Sequence, residues 1–238
     1  IFQHLNFAET KEILANSRIE TVYEGEYLIH EGDNPTHLLF ILDGHLITYR
    51  TNENGDEVSI RLLSKGECCM DAVIFMGGAS PIGVKVTYPS SVLKIPVDML
   101  KKLMRSNYTL SENLLSTVAN YYRESLLQID SLTIKDSKTR LGYYLLREFI
   151  RSDSVSPHFR LQFKKNVVAS YLGMKPETLS RTLKQLQTEG HIQIIGENVV
   201  LNHQHDLCQY CDAVTSVACH ETQSMDNSDC HQRQKNRR

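Results

Sequence analysis

Two groups of side chains in this sequence are suited to chemistry. The first is the run Lys175-Pro176-Glu177-Thr178-Leu179-Ser180-Arg181-Thr182-Leu183-Lys184. Proline suits the first position of a helix, where its missing N–H costs nothing. Leu179, Leu183 and Leu186 then share one face. That leaves Lys175, Glu177, Thr178, Ser180, Arg181, Thr182, Lys184 and Gln185 outside. An arginine can give two parallel hydrogen bonds to guanine O6 and N7, a glutamate can accept from the cytosine amino group, and a serine can meet a base or a phosphate. Other roles stay open: Glu177 as a charge favoured by the helix dipole, Arg181 as a phosphate contact. The second group is Cys208-x2-Cys211-x7-Cys219, with Cys230 farther on. Thiolates at C-x2-C spacing can converge on one metal or cluster. His203, His205, His220 and His231 are near in sequence, so zinc is also open, as is an uncoordinated tail.

The first group needs a scaffold, and its flanks supply one. Phe159 to Phe163 alternates like a short strand, and Asn166 to Leu172 reads as a short helix ending at Gly173. Ala169 is small where two helices must cross. Gly173 can take the positive φ of a tight turn. The next helix runs from Pro176 to about Thr188 and stops at Gly190. Ile192 to Ile195, a Gly196-Glu197 turn and Asn198 to Leu201 make a hairpin. Strand, helix, turn, helix, hairpin is the order of a winged helix-turn-helix. A helix over 138–151, with Ser137 as its cap and Leu141, Leu145, Leu146 and Phe149 on one face, precedes it.

Farther upstream the spacing predicts a short helix over 98–107 and a long one over about 110–133, opened by a Thr109/Glu112 capping box. Leu115, Val118, Tyr122, Leu126, Ile129 and Leu132 follow at steps of three or four. So narrow a stripe suits a coiled-coil seam between two copies; packing on its own chain is the alternative. Residues 19–97 are short apolar and β-branched runs punctuated by Gly25, Gly32, Gly44, Gly55 and Gly66, read as turns, with a hairpin at Asn52 to Asp56. That pattern predicts a jelly roll.

Apolar residues make up 41% of the 238, enough for a buried core. Residues 1–137 carry 12 basic and 18 acidic side chains, whereas residues 138–201 carry 10 basic and 5 acidic. An acidic N-terminal part joined to a basic stretch assigns any polyanion to the latter. No apolar run approaches the ~18 to 20 residues of a membrane span, and no secretory signal is visible. The chain opens on Ile1 rather than Met, so residues are expected to precede it. No cysteine falls between 70 and 207, which suits a reducing cytoplasm. Cys68 and Cys69 read as core rather than as a thiol switch. There is no Gly-rich phosphate loop, nucleophile elbow or paired metal-His motif, so no enzyme is expected.

Glu177-Thr178-Leu179-Ser180-Arg181 resembles the E-x-x-S-R recognition signature of FNR-like members of the CRP/FNR family. The resemblance extends over barrel glycines, long helix, Leu-Gly turn and wing. It implies an α+β chain: an N-terminal double-stranded β-helix or jelly-roll domain of the cyclic-nucleotide-binding type (1–108), a dimerisation helix (109–136), a winged helix-turn-helix (137–203) and a Cys-rich polar tail (204–238). It further implies a homodimer on double-stranded DNA at a palindromic TTGAT-like site, contact with RNA polymerase, and control by an effector.

Three effectors compete. Cyclic AMP is disfavoured. The phosphate cassette of the cAMP-binding relatives reads G-E and, about ten residues later, R-S, whereas this chain has Met70-Asp71 and Pro81-Ile82-Gly83, with no arginine between Arg61 and Arg105. An anionic phosphate would lack its cation. Some FNR-like proteins instead hold a [4Fe–4S] cluster on C-terminal cysteines with a non-cysteine fourth ligand. Cys208, Cys211 and Cys219, with Cys230 or Asp136, fit that pattern and imply a response to oxygen, NO or redox state. Haem is the third, suggested by a loose likeness of Asp71 to Met76 to the NO-responsive regulators, with His30, His37 and His45 as candidate axial ligands.

Overall fold

The structure is a computed structural model and describes residues 1–152, 158–202 and 206–211. The chain divides into two compact units, Ile1–Ile129 and Asp130–Arg238.

In the first unit a helix α1 (Phe7–Ala15) leads into strands β1 (Arg18–Val22), β2 (Tyr27–Ile29), β3 (His37–Thr51), β4 (Glu57–Ser64) and β5 (Cys68–Cys69). A single turn α2 (Val73–Met76) and strand β6 (Gly83–Pro96) follow. All pairings are antiparallel, in the order β1-β6-β3-β4, with β2 on β6 and β5 on β3. Inward residues of β3 and β6, among them Leu38, Leu39, Ile41, Leu46, Val84, Val86, Val92 and Ile95, form the core. Cys68 and Cys69 are buried in it. The hairpin forms at Asn52 to Asp56, where the Asn52 Oδ1 accepts from the N–H groups of Asn54 and Asp56. Gly44 does not make the expected turn. The chain continues through it as one 15-residue strand, φ is +92, and a Cβ would lie 2.6 Å from the Pro89 carbonyl. The register between β3 and β6 slips there, so the glycine bends a continuous strand against its neighbour.

Helices α3 (Val97–Met104) and α4 (Tyr108–Ile134) complete the upstream part. Thr109 lies inside α4 and does not cap it. The Asn107 side chain accepts from the Leu110 N–H at 2.8 Å, and Asn107 is an equally good cap two residues earlier. Leu110 and Leu114 of α4 are buried, whereas Leu115 (71%), Tyr122 (65%) and Ile129 (58%) are exposed. No described helix is long and apolar enough to cross a membrane.

In the second unit α5 (Ser137–Arg151) precedes β7 (His158–Arg160), α6 (Lys165–Tyr171), α7 (Pro176–Thr188), β8 (Ile192–Ile195) and β9 (Asn198–Leu201), with sheet order β7-β9-β8. Asp136, not Ser137, caps α5: its Oδ1 accepts from the Thr139 N–H at 2.7 Å. A carboxylate at this position also meets the positive end of the helix dipole. A short 3-10 turn over Cys208–Tyr210 ends the described chain.

Candidate nucleic-acid interface

Helix α7 is presented by three devices. Pro176 occupies its first turn. Gly173, at φ +62, reverses the chain after α6, and the Met174 N–H reaches back to the Ala169 carbonyl at 3.0 Å. A Cβ at Gly173 would come within 2.9 Å of Leu132 Cδ2, so the turn is tight as well as left-handed. Leu179, Leu183 and Leu186 are buried, and Ala169 is wholly covered, as a close helix crossing requires.

The opposite face carries Glu177, Ser180, Arg181 and Lys184, all exposed, with exposed Lys175 at the N-cap. Spacings of three, four and seven put the four helical residues on one side. Thr178 is half-buried. Thr182, expected outside, is buried beside Leu179 and Leu183, with its hydroxyl satisfied by donating to the Thr178 carbonyl four residues back at 2.8 Å. Some other charges in this unit are matched: Lys138 with Glu189 at 2.6 Å, Arg160 with Glu197. Among the described residues, Lys175, Glu177, Arg181 and Lys184 make no ion pair. Exposed donors and acceptors held on a rigid helix can bind an external partner at little ordering cost.

The first unit contains a charged cluster that spacing alone did not reveal. Arg61 lies 4.0 Å from Glu67 and 3.9 Å from Asp71, with its guanidinium 4.6 Å from the centre of the Tyr121 ring on α4. Asp71 is buried, and its Oδ2 has no hydrogen-bond partner among the described residues. Burial raises its pKa, against the pull of Arg61. Arg61 is thus already compensated by two carboxylates. Burial also pushes the Cys68 thiol up to about 12 and raises that of Cys69 further. Thiols held protonated are poor nucleophiles and poor ligands, which fits a core role.

The barrel histidines are each engaged locally. His30 stacks on Tyr27, His37 shares a hydrogen bond with Thr36 at 2.8 Å, and the His45 ring packs near Tyr88. Cys208 and Cys211 are half-buried on the C-terminal turn. In a 3-10 turn residues three apart eclipse one another, so both thiols belong to one side. Cys219, Cys230, His203, His205, His220 and His231 lie outside the described residues. The described residues hold no ready group of three metal ligands.

Two family models match this chain: a cyclic nucleotide-binding domain over residues 19–107 and a Crp-like helix-turn-helix domain over residues 139–210. The Escherichia coli K12 protein named fumarate and nitrate reduction regulatory protein is 25% identical over 205 residues, covering 84% of this chain and 81% of its own. The cyclic AMP receptor protein of Thermus thermophilus is 25% identical over 171 residues, covering 72% and 77%. Among solved structures, FixK2 from Bradyrhizobium japonicum superposes with a TM-score of 0.75 at 20% identity, over 83% of this chain and 98% of that one.

The cap on α5 gives a test with a defined pH dependence. The Thr139 backbone N–H holds the Asp136 carboxyl below its usual range. A carboxyl lowered on folding contributes stability above its unfolded pKa, and that contribution is lost as pH falls through the folded pKa. Asp136→Ala is expected to cost the metal-free protein about 1 kcal/mol at neutral pH. In urea titrations the difference from wild type should vanish in strong acid; a difference independent of pH would rule out the charged cap.

Proposed function

The chain belongs to the CRP/FNR family of transcription regulators, and from that premise we propose that it binds a palindromic TTGAT-like DNA site as a homodimer, with α7 as the recognition helix. The observation that carries this reading is the face of α7, where Glu177, Ser180, Arg181 and Lys184 stand exposed and, among the described residues, make no ion pair. In the major groove Arg181 pairs with a guanine edge, Glu177 accepts from a cytosine amino group, and Ser180 meets a base or phosphate. Lys175, Thr178 and Lys184 add contacts at the groove margin, worth affinity more than discrimination.

The exposed side chains Leu115, Tyr122, Leu126 and Ile129, with half-buried Val118, support a seam along α4. Pairing there removes apolar surface from water and sets two α7 helices to the ~34 Å repeat of successive major grooves. In this reading residues 1–108 are the sensor, 109–136 the dimerisation helix, 137–203 the DNA-binding domain and 204–238 the cysteine-bearing tail. RNA polymerase is the further partner expected of such a regulator.

For the effector, the docked pair Cys208 and Cys211 favours a [4Fe–4S] cluster completed by Cys219 and by Cys230 or Asp136. Two half-buried thiols on one side of a turn are a fitting donor set. Such a cluster would supply sensitivity to oxygen or NO. The cap bond from Asp136 to Thr139 engages one oxygen of that carboxylate, which favours Cys230 for the fourth position. Haem is the weaker reading, since His30 and His45 pack against tyrosine rings and His37 Nδ1 shares a hydrogen bond with Thr36. A cyclic nucleotide is weaker still, because Arg61 is already paired with Glu67 and Asp71.

Arg181→Ala is expected to lose ~1 to 3 kcal/mol of discrimination at one guanine of each half-site, read by competition with single-base variants of the palindrome. Uniform weakening across all sequences would reduce Arg181 to a phosphate contact. Leu126→Glu places a charge in the seam; sedimentation should show monomer where wild type is dimeric, and a wild type that is monomeric with and without DNA sinks the seam. Anaerobically purified protein should carry about four irons with matching sulfide and lose both in the Cys208→Ser/Cys211→Ser variant; iron-free wild type after reconstitution refutes the cluster.

A further inference from the structure

The segment beyond the wing is packed into the DNA-binding unit. Leu207 is fully buried. The Tyr210 ring lies against α5 at Gly142, where any Cβ would run into it. Gly142 has an ordinary helical backbone, so what requires glycine there is the ring. A polar route runs beside this apolar one. Asp206 Oδ1 is 4.0 Å from His191 Nδ1, and Gln209 Nε2 is 3.3 Å from His191 Nε2. His191 Nε2 is in turn 3.6 Å from Glu189 Oε2. Glu189 is the C-cap residue of α7, accepts from Gln185 at 3.0 Å and pairs with Lys138 in the first turn of α5 at 2.6 Å. Leu141 and Leu145 of α5 line one small apolar cavity with Leu179 and Leu183 of α7. Both routes from the turn therefore end on α7, one at its C-terminus and one on its buried face.

We propose that this turn is a brace for the recognition helix, with Leu207, Tyr210 and Glu189 as positioning residues. A ligand or modification at Cys208 or Cys211 then alters DNA binding from within the DNA-binding unit, without a signal passing through the barrel or the seam of α4. The proposal rests on the reading of α7 as the recognition helix but not on any particular ligand of the thiols. It differs from control through helix pairing in that it acts on each protomer separately.

The test uses the full chain and two readouts: anisotropy on the TTGAT-like palindrome and on a scrambled duplex, and iodoacetamide labelling of Cys208 and Cys211 followed by mass spectrometry. Gly142→Ala leaves α5 a better helix former while evicting the Tyr210 ring, and Tyr210→Ala removes the ring itself. Both should speed labelling and weaken palindrome binding about tenfold, within the usual span of coupled sites, while scrambled-duplex binding changes less than about twofold. Tyr210→Phe should restore wild-type behaviour, because the Tyr210 hydroxyl is buried without a hydrogen-bond partner among the described residues. Faster labelling with unchanged palindrome affinity overturns the brace. So does an affinity loss with unchanged labelling, which would place the effect in α5 alone. If wild type itself does not prefer the palindrome, the assignment of α7 fails first and the brace has nothing to position.

Discussion

The first unit hangs on the pairing of β3 with β6. These strands of 15 and 14 residues run antiparallel almost from end to end, and β1, β2, β4 and β5 each attach to one or the other. So long a pair cannot remain flat, because strands twist and must curl to enclose a core. The bend falls at Gly44, whose left-handed backbone and missing side chain let β3 press on Pro89 and Ser90. Ser90 holds the junction through its hydroxyl, which accepts from the His45 N–H at 3.0 Å and donates to the Tyr88 carbonyl.

Helix α4 has two chemically different sides. Tyr121 meets the Arg61 guanidinium, while its neighbour Tyr122 points to solvent. One side therefore packs on a charged residue of the barrel wall and the other is exposed. At the far end of the helix Leu132 approaches the Gly173 turn that aims α7.

Legibility in the sequence followed the range of the interactions. Helix α7 was bounded by Pro176 and Gly190, and its exposed polar face was visible because Leu179, Leu183 and Leu186 recur at helical spacing. The wing was equally local. Caps were harder: Asn107 and Thr109, and Asp136 and Ser137, are competing candidates one or two residues apart, and only the backbone path decides between them. Thr182 was misplaced because a hydroxyl can satisfy itself on its own helix. The Arg61–Tyr121 stack and the Tyr210–Gly142 fit join residues far apart in the chain, and no periodicity marks such pairs. Gly44 was read as a turn because positive φ serves turns and strand bends alike.

The two adjacent core cysteines have a practical meaning. Cys68 and Cys69 sit on β5 against β3, shielded from solvent and held as thiols by burial. An alkylating reagent reaches them only when the strand pair opens. The chain thus carries a chemical clock for barrel breathing: the rate at which these two sulfurs are trapped would measure how often the barrel opens, whereas Cys208 and Cys211 are half-exposed on their own turn.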